Sequence, residues 1–312
     1  MELIHRAVTT VSTSNADDAA FRALADASAI IEALPDARIV GGQMVALLLA
    51  AFPASEAIQR RTADADAAIT AEIAATGEVH EALTAAGYRA ERGNSYFNGR
   101  QEIDLLVPAP TGKFGQEELG GRMFDAAPGI HLALAVRPIV LEVSVLLLDG
   151  STLDFTTRVP TPETATVIKA YATTSRAEAK DLVDLHNLLT IADTYPVEEI
   201  GGWALTPGPL TGARLDAARI MTALAQQIRF DPTARGAAYR FRGSPRSSGS
   251  ASRRTERERT RSVCATSAAL RQYRRRVEHE VAQTLPATRA TPKRAPASAS
   301  GSSAPAAPRR SW

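Results

Sequence analysis

Three aspartates carry the chemical content of this chain. Asp64 and Asp66 stand two residues apart in Arg61-Thr62-Ala63-Asp64-Ala65-Asp66, and Asp104 follows in Glu102-Ile103-Asp104-Leu105-Leu106. On an extended strand, side chains two residues apart project from one face, whereas a helix sends them to different faces. Carboxylates crowded on one face repel one another and lose hydration unless a cation lies between them. Magnesium takes hard oxygen ligands, usually one or two carboxylates, and completes its shell with water and substrate phosphates. Two such ions about 3.5–4 Å apart clamp an in-line displacement at phosphorus. Asp104 supplies a third ligand if its strand pairs beside the first. An Asp-x-Asp pair alone is common on solvated strand faces and in turns, so the weight falls on the parts around it.

Those parts come in a definite order. The short apolar run Ala37-Arg38-Ile39-Val40 leads to Gly41-Gly42, then to an apolar helical segment from Met44 to Phe52, then to the Asp-x-Asp pair and Asp104. Glycine lacks a Cβ, so such a turn can bring backbone N–H groups close to a phosphate at the start of the next helix. In this order the residues resemble the nucleotidyltransferase superfamily related to DNA polymerase beta, whose signature is a strand, a Gly-Gly or Gly-Ser turn, a helix, and Asp-x-Asp on the next strand. The longer spacing from Gly42 to Asp64 and the Arg-Thr-x-Asp-x-Asp form look more like the abortive-infection, toxin-type members (AbiEii-like). The resemblance covers roughly residues 15 to 230.

The resemblance implies a transfer of a nucleoside monophosphate from a nucleoside triphosphate to an acceptor hydroxyl, with pyrophosphate released. It implies Mg2+ (or Mn2+) held by Asp64, Asp66 and Asp104, with Asp104 also a candidate to accept the hydroxyl proton. Gly41 and Gly42 would cradle the triphosphate, Arg61 and Lys169 would offset its charge, and Thr62 and Asp181 complete the expected nucleotide-binding set. Lys169 and Asp181 belong to a stretch running from Pro160 to Lys180-Asp181-Leu182-Val183-Asp184-Leu185, which equally fits an amphipathic helix pair with solvated i,i+4 ion pairs. The acceptor stays open between RNA, a protein side chain and a small molecule, and a cognate antitoxin is a further partner the toxin-type resemblance suggests. A catalytically silent nucleotidyltransferase fold that binds nucleotide or protein is the alternative, and an unrelated metal-binding α/β protein is a third.

The elements that must position these residues follow from periodicity. Asn15-Ala16-Asp17-Asp18, followed by Phe21, Leu24, Ile31 and Leu34 at helical spacing, predicts a helix with Asn15 at its start and Pro35-Asp36 at its end. Residues 71–86 read as one helix closed by Gly87. Residues 88–97 and 101–107 read as paired strands around Asn98-Gly99, which suits a type I′ turn and sets Asp104 on an inner strand. Residues 131–136, 140–148 and 152–158 read as further strands, with Asp149-Gly150 a hairpin turn. Helices are expected over 162–171, 176–192 and 212–228. The alanines at 63, 65, 67 and 68 give the Asp-x-Asp strand a weak intrinsic preference.

The fold class is therefore α/β (α+β), a nucleotidyltransferase-like mixed sheet flanked by helices. Residues 1–159 form the catalytic domain in this reading, residues 160–234 a helical region packed on it, and residues 235–312 a disordered tail. Charge marks the last boundary. The tail holds 18 of the 36 Lys and Arg but only 4 of the 34 Asp and Glu, a net +14 that hides a net −12 in residues 1–234. Rich in Arg, Ser, Ala, Pro and Thr, it lacks the apolar surface to offset its ordering entropy, although a short helix could form over 268–283. A basic tail attracts nucleic acid through phosphates; the competing reading is a non-structural extension of the kind that out-of-frame translation of GC-rich DNA produces.

Other chemistries find little support. The one cysteine, Cys264, precludes a disulfide framework or a thiolate metal site within the chain. The five histidines show no zinc spacing, and neither a P-loop nor a nucleophile elbow is present. The N-terminus lacks the apolar core of a signal peptide and no apolar run approaches a membrane span, so a cytoplasmic protein is expected.

Overall fold

Alternation of polar and apolar residues along short strands sets the layers of this protein. The computed structural model describes residues 3–92, 94–175, 178–205 and 209–230. In chain order the elements are β1 (Ile4–Val11), α1 (Asn15–Glu32), β2 (Arg38–Ile39), α2 (Gly41–Ala51), β3 (Asp64–Ala68), α3 (Ala71–Thr76), α4 (Glu78–Ala85), β4 (Arg89–Arg92) and β5 (Ser95–Asn98). They continue with β6 (Gln101–Pro108), β7 (Gly115–Leu119), β8 (Arg122–Ala127), α5 (Ile130–Ala135), β9 (Ile139–Leu146), β10 (Thr152–Val159), α6 (Pro162–Ser175), α7 (Ala179–Thr194) and α8 (Gly212–Phe230). The result is a mixed α/β architecture, with mixed sheets flanked by helices. Among the described residues, no helix is long and apolar enough to cross a membrane.

The larger sheet runs β2-β3-β6-β5-β4, with β8 pairing β6 and β7 pairing β8. Its strands β3 and β6 are parallel, and the register sets Asp66 against Asp104 and Ala67 against Leu105. Ala65, Ala67, Ile103 and Leu105, between the acids, point to the other face and are buried to within 2% of complete. There they meet α1, while α2 packs beside β3. Burying each large side chain contributes about 1.5–3 kcal/mol, so the face opposite the acids anchors the strands that carry them. The alanines of β3 suit this place because small side chains let two helices approach one strand; burial here outweighs their weak strand preference.

The smaller sheet, β1-β9-β10, joins two strands that the sequence reading contains to one that it omits. Strand β1 lies parallel to β9, with Val8 opposite Val143. Helix α1 then opens at Ser14, whose side chain accepts from the Asp17 N–H at 3.1 Å, one residue before the expected Asn15. Asp17 in turn accepts from the Thr13 N–H (2.9 Å) and from Thr13 Oγ1 (2.5 Å). Burial works against the Asp17 charge, but these bonds and the nearby Arg61 hold its carboxyl below the usual 3.8. Such a group adds stability that is present above the unfolded value and is lost as pH falls through the lower, folded one. The stability difference between the parent and Asp17→Asn should accordingly be constant above about pH 4 and shrink below it, as urea titrations at several pH values would record.

Several expected elements take another form. Residues 71–86 make two helices, because Gly77 adopts a left-handed φ of 79° between them. The run 88–97 folds back on itself as β4 and β5. The following hairpin turns at Gly99-Arg100, with Asn98 paired to Gln101, so glycine takes the positive φ one position earlier in the turn than an Asn-Gly type I′ centre would place it. Of residues 131–136, expected as a strand, 131–135 belong to helix α5, whose buried Ile130, Ala133 and Leu134 have i, i+3, i+4 spacing; a short apolar run cannot by itself distinguish the two. The polar strands β7 and β8 carry no apolar run long enough to announce them.

Helices α6 and α7 face two ways. Ala165, Ile168, Leu188 and Ile191 join the main core, while Val167, Tyr171, Leu185 and Leu189 pack with Ala217 and Met221 of α8 in a second cluster. The basic segment from 235 onward, including Cys264 and the expected helix over 268–283, lies outside the described residues, as does Arg176.

Candidate functional site

The parallel register of β3 and β6 brings three acids from distant parts of the sequence to one point. Asp64, Asp66 and Asp104 each offer a carboxylate oxygen, all within 4.8 Å of one another, and all three residues are half-buried. Thr62 Oγ1 donates to Asp64 Oδ1 at 2.5 Å and so orients that carboxylate. The donor set is hard oxygen throughout, which suits magnesium or manganese rather than a thiolate-seeking metal. Trans oxygens around magnesium lie about 4.2 Å apart at its usual bond length, a little inside the 4.8 Å within which these atoms lie, so a small side-chain adjustment lets them share a cation.

The glycine turn packs directly on this cluster. At Gly41, with a φ of +67°, a Cβ would lie 1.7 Å from Asp66 Oδ2. At Gly42, a Cβ would lie 2.8 Å from Thr62 Oγ1 and 2.9 Å from a terminal guanidinium nitrogen of Arg60. Both positions must be glycine for the turn to touch the acid and the residues preceding it. The Val40 N–H donates to the Asp66 carbonyl at 2.9 Å, which ties the turn to β3. Val40 caps α2 without a side-chain hydrogen bond. Val40, Gly41 and Gly42 at the start of that helix line the cleft beside the acids, the place where a helix N-terminus can meet an anion.

The cleft measures about 320 Å³ and is lined by Gly41, Gly42, Thr62 and the three acids on one side, with Lys169 and Lys180 on the other. Lys169 Nζ lies 2.7 Å from Asp184 Oδ2, and Arg60 binds the same carboxylate through Nε and Nη2, each at 2.5 Å. Asp184 is completely buried. Burial penalises the Arg60 charge, but its hydrogen bonds to Asp184 and the fields of Asp184, Asp181 and Asp64 more than compensate and hold its pKa above the ordinary value. Helix α7 also fixes the loop that delivers Arg60. Asn187 accepts from the Ile58 N–H (2.8 Å) and donates to the Ile58 carbonyl (2.9 Å), while His186 Nε2 lies 2.9 Å from the Glu56 carbonyl.

Two expected contacts go elsewhere. Arg61 turns away from the cleft: its Nε is 3.6 Å from Asp17, its Nη2 donates to the Val11 carbonyl at 3.2 Å, and its guanidinium lies over Phe21. Asp181 is completely buried and does not line the cleft. Nor do Lys169 and Asp184 form solvated helix-surface pairs. Arg60, absent from the expected set, joins the expected Lys169 at the cleft, and Asp184, also absent from that set, holds both from behind. The signal for Arg60 was parity, since Arg60, Thr62, Asp64 and Asp66 are alternate residues and all line the cleft. Asp184 carried no comparable signal, because its partners lie 15 and 124 positions away in sequence.

Removing Asp184 leaves the buried Lys169 and the half-buried Arg60 without their shared carboxylate. Breaking a buried pair by deleting one partner costs about 3–5 kcal/mol. Asp184→Ala is therefore expected to lose stability of that order in chemical denaturation, and Lys169→Met combined with it should recover part of the loss.

Compared with known proteins, the chain matches no family model and no curated protein. Among solved structures it is similar to the solution structure of the antibiotic-resistance factor ANT(2'')-Ia, with 12% identity and a TM-score of 0.29, over 84% of this chain and 96% of that one. A likeness that loose carries no argument about chemistry, which rests on the cleft itself.

Proposed function

We propose that this protein is a metal-dependent nucleotidyltransferase of the superfamily related to DNA polymerase beta. The observation that carries the reading is the contact of the glycine turn with Asp66: a Cβ-free turn opens helix α2 beside an acid that belongs to a convergent carboxylate triad. A phosphate site and a cation site thus share one wall, as chemistry at a nucleotide's phosphate requires.

In this reading Asp64, Asp66 and Asp104 hold magnesium or manganese. When bound there, the cation would supply neutralisation of phosphate charge and polarisation of the phosphorus. The α2 N–H groups at Gly41-Gly42 donate to the triphosphate oxygens, with Arg60 and Lys169 balancing their charge. An acceptor hydroxyl oxygen forms a bond to the α-phosphorus while the bond to the bridging oxygen of the β-phosphate breaks. The electron pair leaves with pyrophosphate, and Asp104 takes the hydroxyl proton. Positioning and preorganised charge supply the acceleration, because Asp184 fixes both cations before substrate arrives. A toxin-type role, a cognate antitoxin and an RNA, protein or small-molecule acceptor are finer proposals that this cleft accommodates equally.

The full chain incubated with each α-labelled nucleoside triphosphate, magnesium and cell extract should transfer label to a macromolecule or small product, and EDTA should stop it. Bound nucleotide without transfer from any of the four, in magnesium or manganese, would overturn the enzymatic reading and leave a binding module.

A further inference from the structure

The sheet face that carries the acids continues past them. Strand β8 pairs with the end of β6 and sets Asp125 against Leu106, two residues beyond Asp104 and therefore on the same face. In the β7–β8 hairpin Gln116 stands opposite Asp125 and Glu118 opposite Met123, which extends that face outward from the cleft. Asp125 is exposed and lines the cleft. So does Phe114, which immediately precedes β7 and is 42% exposed.

Neutral groups orient the Asp125 carboxylate. The buried Asn94 donates to its Oδ2 at 3.4 Å and to the Leu105 carbonyl at 3.1 Å, while Gln116 donates to its Oδ1 at 3.2 Å. Both partners are amides, so the carboxylate keeps its charge for a cation that enters the cleft. A guanidinium suits this wall, because it binds a carboxylate through its N–H fork and stacks on an aromatic face. Residues next to such a cation come within reach of the triad, since Asp125 and the three acids line one cleft of about 320 Å³.

The chain itself carries a segment of matching chemistry. Residues 235–312 hold a net +14 against −12 for the rest, and their hydroxyls stand beside arginines, as in Arg246-Ser247, Arg254-Thr255 and Thr260-Arg261-Ser262. Opposite charge and a tether both raise the local concentration of such a segment at the cleft. Its root is close: a Cβ on Gly112, in the loop before β7, would lie 3.8 Å from Asp216 Oδ2 in the first turns of α8. The 19 residues of α8 span about 28 Å. The 14 residues from 231 to 244 can extend to about 46 Å, enough to return along that helix.

We propose that this basic tail is an acceptor of the transfer: a serine or threonine hydroxyl enters the cleft while the arginine beside it binds Asp125 and Phe114. The proposal rests on the transferase reading above and names its acceptor. The hydroxyl oxygen bonds to the α-phosphorus as the bond from that phosphorus to the bridging oxygen of the β-phosphate breaks. Pyrophosphate leaves with the electron pair, Asp104 takes the proton, and a phosphodiester joins the nucleoside monophosphate to the tail.

The full chain incubated with magnesium and each α-labelled nucleoside triphosphate, without extract, tests this. Label should enter the chain, and peptide mass spectrometry should place it on a serine or threonine next to an arginine within residues 244–311. Tenfold dilution separates the sources: an unchanged rate per chain assigns the acceptor to the chain's own tail, and a tenfold fall assigns it to the tail of a second copy. A synthetic peptide of residues 251–262 should also accept label from the parent, with its KM rising tenfold or more in Asp125→Asn and in Phe114→Ser. Both side chains are exposed, so these variants should keep the parent's thermal midpoint. Label that reaches a component of cell extract but not the chain, label confined to residues 1–234, or an equal peptide KM in the parent and both variants would overturn the acceptor and leave the transferase reading standing. Transfer to nothing at all would overturn both.

Discussion

Replacing Asp66 with asparagine should reduce label transfer on the order of 10³-fold, equivalent to about 4 kcal/mol of transition-state stabilisation. Asp66 stands opposite Asp104 in the register and touches the glycine turn, so it is the member of the triad that links the cation site to the phosphate site. Asparagine keeps the shape and removes one charge. It also relieves repulsion among crowded carboxylates, so folding stability should stay level or rise. A simple loss of structure would move activity and stability together; a metal ligand moves them apart. Manganese binding, followed by electron paramagnetic resonance, should weaken in the same variant. Transfer at the parent rate by Asp66→Asn would remove the metal assignment from this residue.

Gly41→Ala should be nearly as damaging, though it deletes no functional group. Its methyl carbon would lie 1.7 Å from Asp66 Oδ2, far inside van der Waals contact, in a backbone conformation with φ of +67°. The strain alone costs roughly 1–2 kcal/mol for an L residue. The clash is relieved only by moving the Asp66 carboxylate or the start of α2, and either change separates the phosphate site from the cation site. Displacements of about 1 Å at a reacting centre cost on the order of 10²-fold. Gly77 supplies the control: its φ is +79°, but nothing lies within 4 Å of its added Cβ. Gly77→Ala should show the backbone strain in a thermal melt and keep its transfer rate. Equal rates for Gly41→Ala and Gly77→Ala would sink the argument from contact.

The two variants probe features of different legibility. The spacing of Asp64 and Asp66 needs only the period of a strand, so their common face could be read from residues in order. The same holds for the glycine turn, since an apolar run, two glycines and an amphipathic segment describe a strand-to-helix corner without tertiary knowledge. Helix α5 shows where this kind of reading fails. Its six residues are too few for period to decide, and burial on β6 and α6 selects the helix. Strands β7 and β8 fail differently, being polar segments held by pairing, β8 to β6 and β7 to β8, rather than by a pattern of their own.

The basic wall of the cleft marks the same boundary more sharply. Arg60 and Arg61 are chemically equivalent in sequence, but adjacent side chains on an extended segment point to opposite sides. Arg61 meets Asp17 and Phe21, whereas Arg60 meets Asp184 on a helix more than a hundred residues later. Sequence by itself determined the ligand types, the shared face of Asp64 and Asp66 and the need for glycine at the turn, because these depend on local geometry. Tertiary structure decided that Asp104 joins them, that Arg60 and not Arg61 faces the cleft, and that Asp184 holds both cations. Those outcomes depend on strand register and helix packing, which are set by burial summed over the whole core.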